Sequence, residues 1–175
     1  MLEVKFYPGE GLEVNDLFQA YMTAKRYIYQ SQRGKEIFDA LEDNLTQRTV
    51  LHVDPTTDST FQHQVASTKF DAYWNPIKLF KIKPKGIQSP ALGLIHELGH
   101  GLQCQTKLAW YEERSTGERY LEIEEDNVTN NETPVAIDKN EPVRIQYRDF
   151  IGANWFNGKA FTGMTLHQKV IYSQK

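Results

Sequence analysis

One cysteine in 175 residues, Cys104, leaves no partner for an internal disulfide. That excludes one signature of a small extracellular scaffold without fixing a compartment. Long apolar runs are missing too: nothing approaches the ~20 residues that cross a bilayer as a helix. The N-terminus, MLEVKFYPGE, lacks the basic start and apolar stretch of a cleavable secretory signal. The expectation is a cytoplasmic protein, or one that leaves its cell without such a signal, with no stable membrane association. Positive charge is not in excess either. A net charge of −3 gives no general attraction for nucleic acid or anionic lipid, so no nucleic-acid partner is expected. The one basic run, KLFKIKPK at 78–85, reads as lysines on the solvent side of a strand. Asn44, Asn127 and Asn131 each open an N-x-T triplet, and without a secretory signal these read as chance rather than glycan sites.

What is present suits one compact domain over residues 1–175, with no repeat or linker visible. A hydrophobic share of 39% with 25% charged residues fits a soluble globular chain rather than a disordered one. LEVKFY alternates, with Leu2, Val4 and Phe6 on one side, as an edge strand would. Leu17, Tyr21, Ala24 and Ile28 recur at helical spacing after a start at Asn15 or Asp16, and GKEIFDALED predicts a second helix. RTVLHV reads as a strand stopped by Pro55, and the polar TTDSTFQHQVAST as a loop. KFDAYW and IKLFKIK read as two strands paired around Asn75-Pro76. In SPALGLIHELGHGLQ, Ser89 can cap a helix and Pro90 suits its first position. Gly93, Gly99 and Gly101 each cost roughly 1 kcal/mol there, which implies close approach by neighbouring backbone or an end near Gly101. TKLAWYEERSTGERY then reads as a connection and YLEIEEDNVTN as a short helix. Beyond Pro134 come a turn and a mixed segment, and the remainder is turn-rich until TLHQKVIY.

The chemistry gathers at His96-Glu97-x-x-His100. Residues four apart share a helix face, so both imidazoles can hold one ion, and zinc accepts two histidines and an acid tetrahedrally with one position left for water. Glu97 lies beside that face, where its carboxylate can polarise that water. Two imidazoles and a carboxylate on a buried helix are costly without a partner, and Zn²⁺ supplies one. His52, His63 and His167 read as structural or exposed.

No third histidine follows at short spacing, so the third ligand is expected to be an acid of LEIEEDN. Leu121, Glu125 and Val128 form one helical stripe, with Thr129 in support, which favours Glu125 slightly over Glu124. Arg144 and Tyr147, three apart, would share a face of a helix and could donate to an oxyanion. Glu132 or Glu141 could orient an imidazole through its other nitrogen.

These pieces resemble the zinc metallopeptidases that bacteria deliver as secreted effectors, and the related metallopeptidase domains of polymorphic toxins. GKEIFDAL, YWNP, SPALGLIHELGHGL, EIEEDNVTNNET and NEPVRIQY carry the resemblance in the family's order, over roughly residues 30 to 150. It implies a catalytic Glu97, zinc held by His96, His100 and a downstream Glu, and Arg144 with Tyr147 near the transition state. That last pair is also similar to one in the clostridial neurotoxin light chains. The chain departs from the family in Glu132-Thr133-Pro134, where an EN before a basic run is common, and in the short segment after the histidines.

The expectation is an α+β, minimal zincin-like metallopeptidase domain, with a small mixed sheet packed on the helix of His96 and His100. Its function would be a zinc-dependent endopeptidase, with a peptide or protein as substrate, added as a strand to KLFKIK or KFDAYW. The rivals are a zinc amidase acting on a non-protein or cell-wall peptide, and an inactive zinc-binding interaction domain.

Overall fold

The computed structural model describes residues 1–155 and 164–175. The turn-rich stretch expected over 156–163 lies outside the described residues. The chain runs β1 (Leu2–Phe6), α1 (Val14–Ile28), α2 (Gln32–Asp43), β2 (Arg48–Val53), β3 (Thr60–His63), β4 (Lys69–Trp74), β5 (Lys78–Ile82), β6 (Ile87–Gln88), α3 (Pro90–Arg114), α4 (Tyr120–Asn127), a π-helical turn (Val128–Glu132), α5 (Thr133–Asp138), β7 (Phe150–Trp155) and α6 (Leu166–Val170). This is an α+β architecture in which a small mixed sheet packs against the helix bearing the histidine pair, a minimal zincin-like arrangement.

The first sheet has the order β1-β2-β4-β3, with β1, β2 and β4 parallel and β3 antiparallel to β4. Strand alternation sends Leu51, Val53, Ala72 and Trp74 inward, onto Leu17, Ala24 and Ile28 of α1, Phe38 and Leu41 of α2, and Leu92, Ile95 and Leu98 of α3. These side chains are almost entirely removed from water, at roughly 1.5–3 kcal/mol for each large one. The Trp74 indole also donates to the Pro90 carbonyl at 2.7 Å, which ties β4 to the first turn of α3.

A second, antiparallel sheet has the order β6-β5-β7. Here the expected pairing of KFDAYW with IKLFKIK is corrected: the two strands exist but join different sheets. Asn75 redirects the chain instead of reversing it. Its amide donates to the carbonyls of Pro55 at 2.9 Å and Thr57 at 2.7 Å, and its oxygen accepts from the Ile77 amide at 3.0 Å. Among the described residues β4 is paired on both sides and has no free edge for strand addition, whereas β6 faces β5 only at Phe80 and Lys81. Lys78 is also not on a solvent face; it is buried and paired with Asp58.

The polar segment after Pro55 is likewise not all loop. Thr60–His63 forms the edge strand β3, where Phe61 faces Phe70 and His100. Four residues of alternation were too short a signal to stand out from their polar surroundings. Helix α3 also continues beyond Gly101 to Arg114, interrupted only by non-helical backbone at Lys107. The glycines of α3 mark close approach, by side chains rather than by the neighbouring backbone expected. A Cβ on Gly93 would lie 2.3 Å from the Phe80 ring, and one on Gly99 would lie 2.0 Å from Asn127 Oδ1.

Candidate metal centre

Helix α3 starts where the sequence indicates, with the Ser89 hydroxyl accepting from the Leu92 amide and Pro90 in the first turn. Glu141 closes this end by accepting from the Ser89 amide at 2.8 Å and hydroxyl at 2.7 Å, which fixes the helix that carries the site. Two turns on, the His96 and His100 rings stand nearly perpendicular with centroids 4.9 Å apart.

The third acid beside them is Glu124. Its Oε2 lies 3.2 Å from His96 Nε2 and 3.4 Å from His100 Nε2. Tetrahedral coordination with bonds near 2.0 Å puts neighbouring ligand atoms about 3.3 Å apart, so these separations match a zinc polyhedron with its ion left out. Glu124 Oε2 is buried and has no hydrogen-bond partner. An unsatisfied carboxylate oxygen in such a place is costly unless a cation meets it. The protonation balance carries the same message. Burial works against charge on both groups, yet the carboxylates of Glu124 and Glu132 push His96 up to about 9. The two histidines in turn hold Glu124 far below the ordinary carboxylate range despite its burial. This pocket demands positive charge, and a divalent cation can replace the proton.

Both rings are prepared to offer Nε2. His96 Nδ1 lies 3.0 Å from Glu132 Oε2, and His100 Nδ1 lies 2.9 Å from Gln103 Oε1. With each Nδ1 proton given to an oxygen, the Nε2 lone pair points at Glu124. Gln103 cannot flip, because its amide donates to the Ile123 carbonyl at 2.9 Å and to Asp126 at 2.6 Å. Glu132 is braced by Gln88 at 2.9 Å and by the Arg144 guanidinium, whose Nε lies 2.9 Å away. Burial pushes its carboxyl up, but Arg144 and His96 overcome this and hold it at about 2. Arg144 Nη2 also lies 2.9 Å from His96 Nδ1; since a guanidinium cannot accept, both donate to the shared carboxylate.

The preference for Glu125 is corrected by this geometry. Glu125 turns away from the histidines and accepts the Tyr147 amide on both oxygens, at 3.0 and 3.1 Å. The reason is that polar residues share the buried face: Glu124 and Asn127 of α4, followed by Asn131 and Glu132 of the π turn, are buried beside Ile123 and Val128, whereas Leu121 is only half-buried. An apolar stripe was the wrong guide. Asn127 donates to the His96 carbonyl at 2.8 Å, and Asn131 donates to Asn127 Oδ1 at 2.8 Å, so amides bind α4 to the gap left by Gly99. On a regular helix Glu132 would sit about 80° around from Glu124. The π turn between them rotates less per residue, which brings both carboxylates to opposite nitrogens of His96.

Glu97 is buried and has no hydrogen-bond partner among the described residues; its carboxylate opens into a cavity of about 180 Å³. Burial raises its pKa to about 7, against the pull of His96 and His100. Phe80, Leu92 and Phe150 give the cavity an apolar wall, and Tyr147 lines it with its ring stacked on His96, centroids 6.1 Å and planes 15° apart. Arg144 and Tyr147 do converge on the site, though not from one helix: Arg144 lies in irregular backbone and Tyr147 opens a 3-10 turn that runs to Asp149. Arg144 spends most of its fork on Glu132, leaving Nη1 beside the Tyr147 carbonyl at 3.5 Å.

Of the other histidines, His52 is held by Asp71 and Tyr7, His63 by Glu112, and His167 by Thr23. Asn127 and Asn131, two of the N-x-T asparagines, are buried clamps of the centre. In the sequence they stand out only as N-x-T triplets, and Gln103 not at all. Their signal was spacing: Gln103 follows His100 by three, and Glu124, Asn127 and Asn131 recur on one helical face.

No protein-family model, curated protein or solved structure matches this chain. The class the fold and site define is therefore a zincin-like α+β protein with a buried His-His-Glu site able to coordinate a metal ion. The likeness to effector metallopeptidases rests on the quoted motif residues alone. Among the described residues, no helix is long and apolar enough to cross a membrane.

Proposed function

We propose that this chain is a zinc-dependent endopeptidase acting as one domain. The observation that carries the reading is the ligand triangle of His96, His100 and Glu124 adjoining a cavity into which an unpartnered Glu97 projects. Bound zinc would supply Lewis acidity, polarising a substrate carbonyl and acidifying a water molecule. Glu97 accepts the proton of the attacking water and returns it to the leaving amine. The Tyr147 phenol is the donor best placed to meet the developing oxyanion. Arg144 acts one step back, holding Glu132 and through it the His96 ring.

The substrate is a peptide or protein, with no nucleic-acid or stable membrane partner. Deployment as a secreted effector or toxin is the setting that the motif resemblance favours; action within the producing cytoplasm is its competitor. The test is hydrolysis of a quenched random peptide library and of peptidoglycan stem peptides by wild type and Glu97→Gln, with zinc measured in both. The proposal expects library cleavage lost by roughly 10³-fold or more in the variant while zinc is retained. Cleavage of stem peptides alone would move the assignment to a cell-wall amidase, and unchanged activity of Glu97→Gln would overturn the mechanism.

A further inference from the structure

Glu124 and Glu125 are adjacent but point to different tasks, and the second task has a consequence for the cleft. The loop from Lys139 to Asp149 is held at several points. Glu141 binds the α3 cap, Arg144 binds Glu132, and Asp149 accepts the amides of Ile145 at 3.2 Å and Gln146 at 3.0 Å. The Tyr147 amide is the point at which the loop meets α4, through both oxygens of Glu125. Its neighbours Ile145, Gln146 and Arg148 are exposed; the remaining restraints are the 3-10 turn from Tyr147 to Asp149, the Lys83 amide on the Asp149 carbonyl at 2.7 Å, and the Arg144 guanidinium 5.3 Å from the Tyr147 ring centre. The Tyr147 ring nevertheless lies stacked over His96 at the cavity wall.

We propose that Glu125 is a positioning residue, a latch that holds the Tyr147 phenol over the metal site. A charge-assisted, two-oxygen grip on one amide fixes the backbone from which the ring projects. The same turn of α4 presents Glu124 to His96 and His100, so the ligand and the phenol are referenced to one rigid element. The inference rests on the hydrolase reading for what the phenol does, but not for the latch itself.

The experiment uses the zinc-loaded full chain with Glu125→Ala, Glu125→Gln, Tyr147→Phe and the Glu125→Ala/Tyr147→Phe double variant. Three quantities are read: zinc content, amide hydrogen exchange at Tyr147, and kcat/KM on the quenched random peptide library. The latch predicts that Glu125→Ala keeps its zinc, loses protection of the Tyr147 amide, and loses roughly 10- to 100-fold in kcat/KM, the scale of a misplaced catalytic group. Glu125→Gln, which keeps an acceptor, should stay within roughly threefold of wild type, and Glu125→Ala should cost little once Tyr147 is Phe. Unchanged Tyr147 exchange, zinc loss in Glu125→Ala, or fully additive penalties would each overturn it. If wild type cleaves nothing, the hydrolase reading fails while exchange and zinc content still decide the latch.

Discussion

Replacing Glu124 with Gln tests the ligand assignment through stability rather than turnover. The structure sets the three donor atoms within 4.8 Å of one another, with Glu124 Oε2 at 3.2 and 3.4 Å from the two Nε2 atoms. Zinc that binds only the folded chain stabilises it by about 4 kcal/mol at a free concentration a thousandfold above Kd. For a chain of 175 residues that is roughly 8–16 °C in Tm at about 2–4 °C per kcal/mol. Residues that merely orient a ligand are worth about 10–100-fold in metal affinity, so losing a charged ligand should cost at least ~100-fold. The zinc-dependent increment in Tm should then shrink by about 5–11 °C. The assay is calorimetry in a zinc buffer of fixed free concentration, against the same protein in chelator. Glu125→Gln is the control and should keep the wild-type increment. A Glu124→Gln protein with the full increment, or a Glu125→Gln protein without it, would refute the reasoning.

Two other perturbations follow from the supporting structure. Burial lifts Glu141 from its ordinary 4.5 to about 7, so the folded state holds a proton that the unfolded chain releases. Its stabilising contribution is complete below pH 4.5 and is lost as pH rises through about 7, a change of about 3 kcal/mol. Denaturant midpoints should therefore fall over that window in wild type relative to Glu141→Gln, and a pH-independent difference between them would refute this. Gly99→Ala would normally stabilise a helix, but its Cβ would meet Asn127 Oδ1 at 2.0 Å and Asn131 Nδ2 at 2.9 Å. The expected result is a loss of about 1–3 kcal/mol together with weaker zinc binding, as α4 is displaced. A gain in stability on urea titration would contradict the packing account.

The parts of the fold that announced themselves are those with regular apolar period or strong local chemistry. The face of α1 through Leu17, Ala24 and Ile28, the Ser89-Pro90 start of α3, and His96 with His100 are all of this kind. Where packing replaces propensity, the sequence misleads. The glycines of α3 left open an end near Gly101, but the helix runs on and Gly99 is a contact point for the Asn127 side chain; Asn75-Pro76 suggested a hairpin but sends β5 to another sheet. The choice between Glu124 and Glu125 turned on a helix face buried by amides and carboxylates, which no hydrophobic period reveals. Glu132 was visible as an orienting carboxylate for an imidazole; the π turn that delivers it was not.

The central claim is a single zinc site built by His96, His100 and Glu124, and elemental analysis of wild type purified without chelators tests it most directly. The account predicts one zinc per chain, lost when either histidine or Glu124 is replaced and kept in Glu97→Gln. A wild-type protein that stays free of zinc after exposure to equimolar metal would contradict it.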